Sequence, residues 1–124
     1  MFIAGMWKKL PLDATLFISQ KDTVLSVNLS KQIVEKILSC KKPEKIVLFG
    51  SRATGNEKKT SDIDIAIFGK QWTDRDINMV RHHLEEKIKT PLKFDVINFY
   101  SIAKDELKNN ILSQGVILYE SKTH

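Results

Sequence analysis

The sequence contains a single cysteine, Cys40. One thiol can form no disulfide within the chain and no cysteine cluster that would bind zinc. No stretch approaches the roughly 18 consecutive apolar residues that a membrane-spanning helix needs. The first residues, MFIAGMWKKLPLD, place their lysines after a short apolar run and have no small-residue cleavage pattern, so we expect no signal peptide. These absences predict a cytoplasmic protein without a membrane partner.

Glycine is also scarce, and the five glycines form neither of the common nucleotide-binding signatures. No Gly-Lys-Ser or Gly-Lys-Thr follows another glycine at the spacing of a P-loop, and a dinucleotide fingerprint lacks its second and third glycines. A nucleotide site in this chain therefore needs another kind of loop.

The length and composition are those of an ordinary globular domain. The chain has 124 residues, of which 42% are apolar and 28% are charged. A chain of this size forms one domain with a core of its own. Its net charge of +5 suits an anionic partner such as a nucleotide, a nucleic acid or an acidic protein, without selecting among them.

The hydrophobic pattern after residue 27 predicts alternating helices and strands. This alternation is typical of a small two-layer α/β (α+β) fold, with a mixed sheet and helices packed on one face. We expect the first two strands to be antiparallel because only a short loop joins them. The predicted elements are a helix that begins at Asn28 or Ser30, strands at 45–49 and 63–68, a helix at 74–89, a strand at 93–99, a helix at 102–114 and a strand at 116–119.

The sequence pattern divides the chain into an N-terminal extension, a domain and a short tail. Residues 1–27 are expected to form an N-terminal extension, either a hairpin or an arm that docks on a partner. Residues 28–120 are expected to form the domain, and residues 121–124 a short tail.

Three aspartates occupy strand positions where a structural role would favour apolar residues. Asp62 and Asp64 open the second strand and project to the same side, because side chains alternate along a strand. Asp95 interrupts the apolar strand that contains FDVIN. Carboxylates that converge repel one another unless a divalent cation compensates their charge. Oxygen ligands without histidine or cysteine favour Mg²⁺ or Mn²⁺ over zinc.

Gly50 and Ser51 follow the first strand and predict a phosphate site. Glycine lets backbone N–H groups approach a phosphate, and the serine hydroxyl can add a hydrogen bond. Arg52 supplies positive charge beside them, as do Lys58 and Lys59. A nucleoside triphosphate bound there would bring its Mg²⁺ to the two neighbouring acids, which predicts nucleotidyl transfer.

The motif Gly-Ser, ten residues, Asp-x-Asp resembles that of the DNA polymerase beta nucleotidyltransferase superfamily. More narrowly, LFGSRATGNEKKTSDIDIAIF is similar to the minimal nucleotidyltransferases, or MNT proteins. The likeness covers about residues 29–120. It implies that Gly50, Ser51 and Arg52 bind the nucleotide. It also implies that Asp62, Asp64 and Asp95 are the catalytic, metal-binding acids.

The resemblance also implies a partner and a reaction. MNT proteins are typically paired with a HEPN-domain toxin, a helical RNase, and act as its antitoxin. In that class the enzyme transfers AMP from ATP to a tyrosine hydroxyl near the RNase site of the toxin. Two Mg²⁺ ions are expected with bound nucleotide, and no direct contact with nucleic acid is required. The sequence leaves open which nucleoside triphosphate is preferred and whether the chain forms a homo-oligomer.

Two other functions remain open on the sequence. The chain could transfer a nucleotide to a small hydroxylated molecule such as an aminoglycoside, although no second domain is present in these residues to bind it. It could also be a non-catalytic module that neutralises its partner by contact alone.

Overall fold

The computed structural model describes residues 14–15, 27–50, 62–90 and 92–121. No helix in these ranges is long and apolar enough to cross a membrane. Every element predicted after residue 27 is present, which confirms the α/β fold. The described strands are β1 (Ala14–Thr15), β2 (Lys45–Phe49), β3 (Ile63–Phe68), β4 (Phe94–Asn98) and β5 (Val116–Ser121), and the described helices are α1 (Val27–Cys40), α2 (Asp74–Lys87) and α3 (Asp105–Gln114).

Two helices begin at other residues than predicted: α1 begins at Val27, so that Asn28 and Ser30 lie inside it, and α3 begins later than residue 102. That helix begins at Asp105, because Phe99–Ser101 forms a separate 3-10 turn. The helix ends as predicted at Gly115, whose N–H donates to the carbonyl of Ile111. A Cβ at Gly115 would collide with the Val47 side chain, so glycine lets the chain turn closely over β2.

The strands form one mixed sheet in the order β1-β5-β2-β3-β4. β2 and β3 are antiparallel, as their short connection predicts. β3 and β4 are parallel, with α2 in the connection between them. Ala14 and Thr15, which come from the predicted N-terminal extension, pair with Ser121 and Glu120 of β5. The parallel pair matters most for function, because both strands carry aspartates at their amino ends.

The main core lies between one face of the sheet and helices α1 and α2. Side chains three or four positions apart on an amphipathic helix share one face, which places them together against the sheet. Ile63, Ile65 and Ile67 of β3 are completely buried there. The helical residues buried against this face are Ile33, Val34 and Ile37 of α1 and Ile77, Val80 and Leu84 of α2.

The opposite face of the sheet is partly covered by α3. Ile111 packs in a second cluster with Val47, Ala66 and Phe68. The predicted packing of helices on the isoleucine face thus holds for α1 and α2, whereas α3 adds a cover on the face that was expected to lie open. The aspartates share this second face, beyond the part that Ile111 covers.

The start of α2 is fixed by a capping box. The Thr73 hydroxyl accepts from the Asp76 N–H, and the Asp76 carboxylate accepts from the Thr73 N–H. The same carboxylate accepts a 2.9 Å hydrogen bond from Lys41 Nζ, just beyond α1. One aspartate therefore caps α2 and joins it to the segment that follows α1.

Candidate active site

Asp64 and Asp95 lie side by side on the parallel strands β3 and β4. Their Cα atoms are direct register partners, so both side chains project from the same face of the sheet. Asp64 is half-buried and Asp95 is exposed. Asp62 is exposed and immediately precedes β3. The parallel pairing thus brings two of the predicted acids into adjacent positions, with the third two residues away along the chain.

The pKa of Asp64 is raised by its burial and by the nearby carboxylates. Three causes together raise the pKa of this carboxyl to about 6: burial is the largest, followed by the charge of Asp95 and then the charge of Asp62. Burial acts because a low-dielectric environment disfavours the charged form, and neighbouring carboxylates act by repulsion. Asp64 is therefore ionised at neutral pH at the expense of stability, and a bound cation would relieve that penalty.

Gly50 closes the site from the neighbouring strand β2. Its φ of 78° lies in the left-handed region, where side chains other than glycine are strained. A Cβ at this position would also collide with Oδ2 of Asp64. The backbone at the start of the predicted phosphate loop therefore lies directly against the Asp64 carboxylate. Both the conformation and the close approach require glycine.

The remaining predicted nucleotide ligands lie outside the described residues. Ser51 and Arg52 fall in the segment 51–61, as do Lys58 and Lys59. Their phosphate contacts remain predictions from the sequence.

Within the described ranges, no three His, Cys, Asp or Glu side chains are arranged to hold a metal ion by themselves. The donors nevertheless suit Mg²⁺, because they are carboxylate oxygens and two of them raise the pKa of the third. Mg²⁺ usually keeps several water or phosphate oxygens and takes only one or two carboxylates from a protein. Asp62, Asp64 and Asp95 therefore fit an ion that arrives with the nucleotide better than one held in a preformed cage.

Asn98 is a buried polar residue, at the other end of the strand that carries Asp95, that the sequence analysis did not identify. It lies at the end of β4, three residues after Asp95, and its side chain bonds the residue that follows β3. The only sequence signal for it is an amide at the end of the apolar strand FDVIN.

A separate groove of about 540 Å³ lies at the opposite end of the parallel strands. It is formed by the start of α2, the carboxyl end of β4 and the segment that leads into α3. Because β3 and β4 run in the same direction, their aspartates lie at the other end. Its lining is Asp74, Ile77, Val96, Ile97, Asn98, Ser101, Ile102, Ala103, Lys104 and Leu107. None of the three predicted acids takes part in it.

Comparison with known proteins identifies a nucleotidyltransferase domain in this chain. Residues 31–124 match the family model described as "Polymerase beta, Nucleotidyltransferase". No curated protein matches the chain.

Solved structures with a similar fold include two toxin–antitoxin complexes. One is a mutant of the toxin–antitoxin MntA–HpeT, which is 20% identical, with 75% of this chain and 74% of that chain covered and a TM-score of 0.62. The other is a toxin–antitoxin with AMP-PNP, which is 24% identical, with 74% of each chain covered and a TM-score of 0.60. At these identities the likeness establishes a shared fold.

Proposed function

Since the chain belongs to the polymerase beta nucleotidyltransferase family, we propose that it is a Mg²⁺-dependent nucleotidyltransferase and the cytoplasmic antitoxin of a HEPN-domain toxin. Its proposed reaction is transfer of AMP from ATP to a tyrosine hydroxyl of that toxin. The observation that carries the proposal is the pairing of Asp64 with Asp95 on adjacent parallel strands, against the backbone of Gly50. This arrangement puts carboxylate oxygens, which are the proposed metal ligands, beside Gly50, where the proposed phosphate loop begins.

Each residue of the site has a proposed role. Gly50, Ser51 and Arg52 would bind the triphosphate, because backbone N–H groups and a guanidinium are suitable donors to phosphate oxygens. Asp62 and Asp64 would hold the metal that the nucleotide brings, and Asp95 would contribute to holding a second ion. Bound Mg²⁺ supplies positive charge that stabilises the phosphate oxygens during the displacement.

The exposed position of Asp95 suits the proton transfer. Asp95 is open to solvent while Asp64 is half-buried, so an acceptor hydroxyl can approach Asp95 from outside. As the tyrosine oxygen forms a bond to the α-phosphorus, Asp95 accepts the proton of the tyrosine hydroxyl. The bond from the α-phosphorus to the bridging oxygen breaks, and pyrophosphate leaves with that electron pair.

Two solved structures of similar fold support ATP as the nucleotide substrate and a protein as the acceptor. One solved structure of similar fold is a toxin–antitoxin with AMP-PNP, which is an analogue of ATP. Another is the toxin–antitoxin MntA–HpeT. The net charge of +5 would also attract an anionic nucleotide.

Labelling of the partner tests the proposal. We expect ATP labelled in its α-phosphate to label the HEPN product of the adjacent gene when this chain and Mg²⁺ are both present. Asp64→Asn, Asp62→Asn and Asp95→Asn should each reduce labelling by at least about 100-fold, as expected when a metal ligand or general base is lost. Asp105→Asn makes the same charge change at an exposed position on α3 and should label as the wild type does.

The same experiment separates the other functions. Wild-type labelling by Asp64→Asn would contradict the assignment of the metal site. Label on an aminoglycoside, with none on the toxin, would support a small-molecule acceptor. Neutralisation of the toxin by Asp64→Asn without any label would support a binding module.

A further inference from the structure

Asn98 makes a set of hydrogen bonds that joins the ends of the two aspartate-bearing strands. Its side chain is 6% exposed, and its Nδ2 donates to the Gly69 carbonyl at 2.8 Å. Its Oδ1 accepts from the Gly69 N–H at 3.3 Å and from the Tyr100 N–H at 3.2 Å. Gly69 directly follows β3 and is itself buried. One amide therefore satisfies both backbone groups of the residue that leaves the neighbouring strand.

These bonds fit only one register of β4 against β3. The strands are parallel and joined through α2, so no tight turn sets their alignment. A slip of one residue would turn the apolar side chains of β4 to the wrong face, and the core therefore opposes it. A slip of two residues would keep each side chain on its own face, and the repeated isoleucines of β3 would oppose it only weakly.

The amide distinguishes the correct register from the two-residue slip. In the observed alignment Asn98 pairs with Ile67, which places its side chain over Gly69. A shift of two residues would move the amide by about 7 Å. The buried Gly69 N–H would then lose the Asn98 oxygen that accepts from it, whereas the Gly69 carbonyl would keep its 3.2 Å hydrogen bond from the Trp72 N–H. The same shift would separate Asp95 from Asp64 by the same distance.

We propose that Asn98 is a positioning residue that sets the register of β4 on β3 and so holds Asp95 beside Asp64. The inference rests on the proposed function for the roles of the two aspartates, while the register itself is independent of that function. Asn98 touches neither aspartate and acts through the backbone of β4, about 10 Å from Asp95.

Asn98→Ala tests the proposal in three measurements. In NMR spectra, the cross-strand contacts between the backbones of Asp64 and Asp95 should weaken or disappear, with β4 amides exchanging at least about 10-fold faster. In solution with AMP-PNP as the nucleotide, the affinity for Mn²⁺ should fall by about 10-fold. In the transfer assay, the turnover number should fall more than the KM for ATP rises, because the nucleotide loop is unchanged.

Two variants control for loss of stability alone. Thr73→Ala removes the cap of α2 and leaves Asn98 and Gly69 in place. Tyr100→Phe removes the 2.6 Å hydrogen bond from the Tyr100 hydroxyl to Glu44, at the same end of the sheet, and leaves the Asn98 amide bonded. Both should keep the Asp64 to Asp95 contacts and the Mn²⁺ affinity of the wild type.

The outcomes separate this inference from the proposed function. If Asn98→Ala keeps the wild-type contacts and Mn²⁺ affinity, Asn98 does not set the register and the inference is wrong. If Asn98→Ala does not fold, Asn98→Ser takes its place, since a serine hydroxyl can make one of the two bonds to Gly69. The NMR contacts between Asp64 and Asp95 in that variant then decide whether residue 98 sets the register. If the wild type transfers no AMP, the proposed function fails while the strand contacts still test the register.

Discussion

Asp64 is a residue at which the requirements of stability and of a metal site oppose each other. It occupies a strand position between Phe49 and Asp95, where an apolar residue would pack without electrostatic cost. Its carboxylate is instead half-buried against a glycine backbone and next to other acids. Residues that carry such a cost are common at functional sites. The unfavourable placement is therefore itself an argument for a bound cation.

Asp64→Asn should stabilise the metal-free protein at neutral pH. The pKa in the folded state is about 6, above the ordinary value of 3.8. Stability from this group is therefore complete below pH 3.8 and is lost as the pH rises through 6. Two pKa units correspond to about 2.7 kcal/mol, and partial exposure reduces our expectation to about 1 kcal/mol. Urea denaturation without metal should show equal stability of the two proteins near pH 3.5 and a gain for Asp64→Asn at pH 7.5.

Addition of Mg²⁺ and AMP-PNP provides the control. The ligands should raise the stability of the wild type and have a smaller effect on Asp64→Asn, because binding to the folded state alone shifts the equilibrium. A loss of stability in Asp64→Asn at pH 7.5 without metal would show that the carboxylate is not under the electrostatic stress inferred for it.

At the scale of elements, local signals define each helix and each strand. The capping box at Thr73 and Asp76 starts α2 where the sequence predicts, and Gly115 ends α3. These signals act over three or four residues, so the sequence carries them directly. The relative placement of the elements depends on bonds between distant residues, such as the one from Lys41 to Asp76.

Asp76→Asn should destabilise the protein in a pH-dependent way. The hydrogen bond from the Thr73 backbone N–H lowers the pKa of Asp76, and the hydrogen bond from Lys41 lowers it further. A lowered pKa gives stability that is present above the ordinary value of 3.8 and is lost as the pH falls through the folded value. Thermal unfolding should therefore show the largest loss at pH 6–8 and a progressively smaller loss as the pH falls below 3.8. Asp74→Asn, in the same helical turn, should change the melting temperature less, and an equal change would contradict the role of Asp76 as cap.

At the scale of the whole molecule, the sheet is covered on both faces. Helices α1 and α2 enclose the larger core, and α3 forms a smaller one that includes Ile111 and Val47. The aspartates lie on the second face beyond α3. Among the described residues, the second core thus leaves Asp95 exposed and Asp64 half-buried on that face.

Ile111→Ala should destabilise the protein by about 2–4 kcal/mol, as is usual when a buried isoleucine is truncated. Its side chain is 2% exposed, whereas the neighbouring Leu112 on the same helix is 61% exposed. Leu112→Ala is the matched control and should change stability by less than about 0.5 kcal/mol. Urea denaturation of both variants measures the difference. Equal effects would mean that α3 does not form a core with the sheet.

The sequence by itself determined which segments are helices and strands, and it pointed to the acids and the glycine as a candidate site. It could do so because periodicity, caps and the Gly-Ser and Asp-x-Asp spacing are local patterns. Only the tertiary structure decided the parallel register that places Asp64 beside Asp95, the second core under α3 and the hydrogen bonds of Asn98. These depend on contacts between residues far apart in the chain, such as Asn98 and Gly69 at a separation of 29 positions. Local patterns do not encode such pairings, because many registers satisfy the same alternation of apolar and polar side chains.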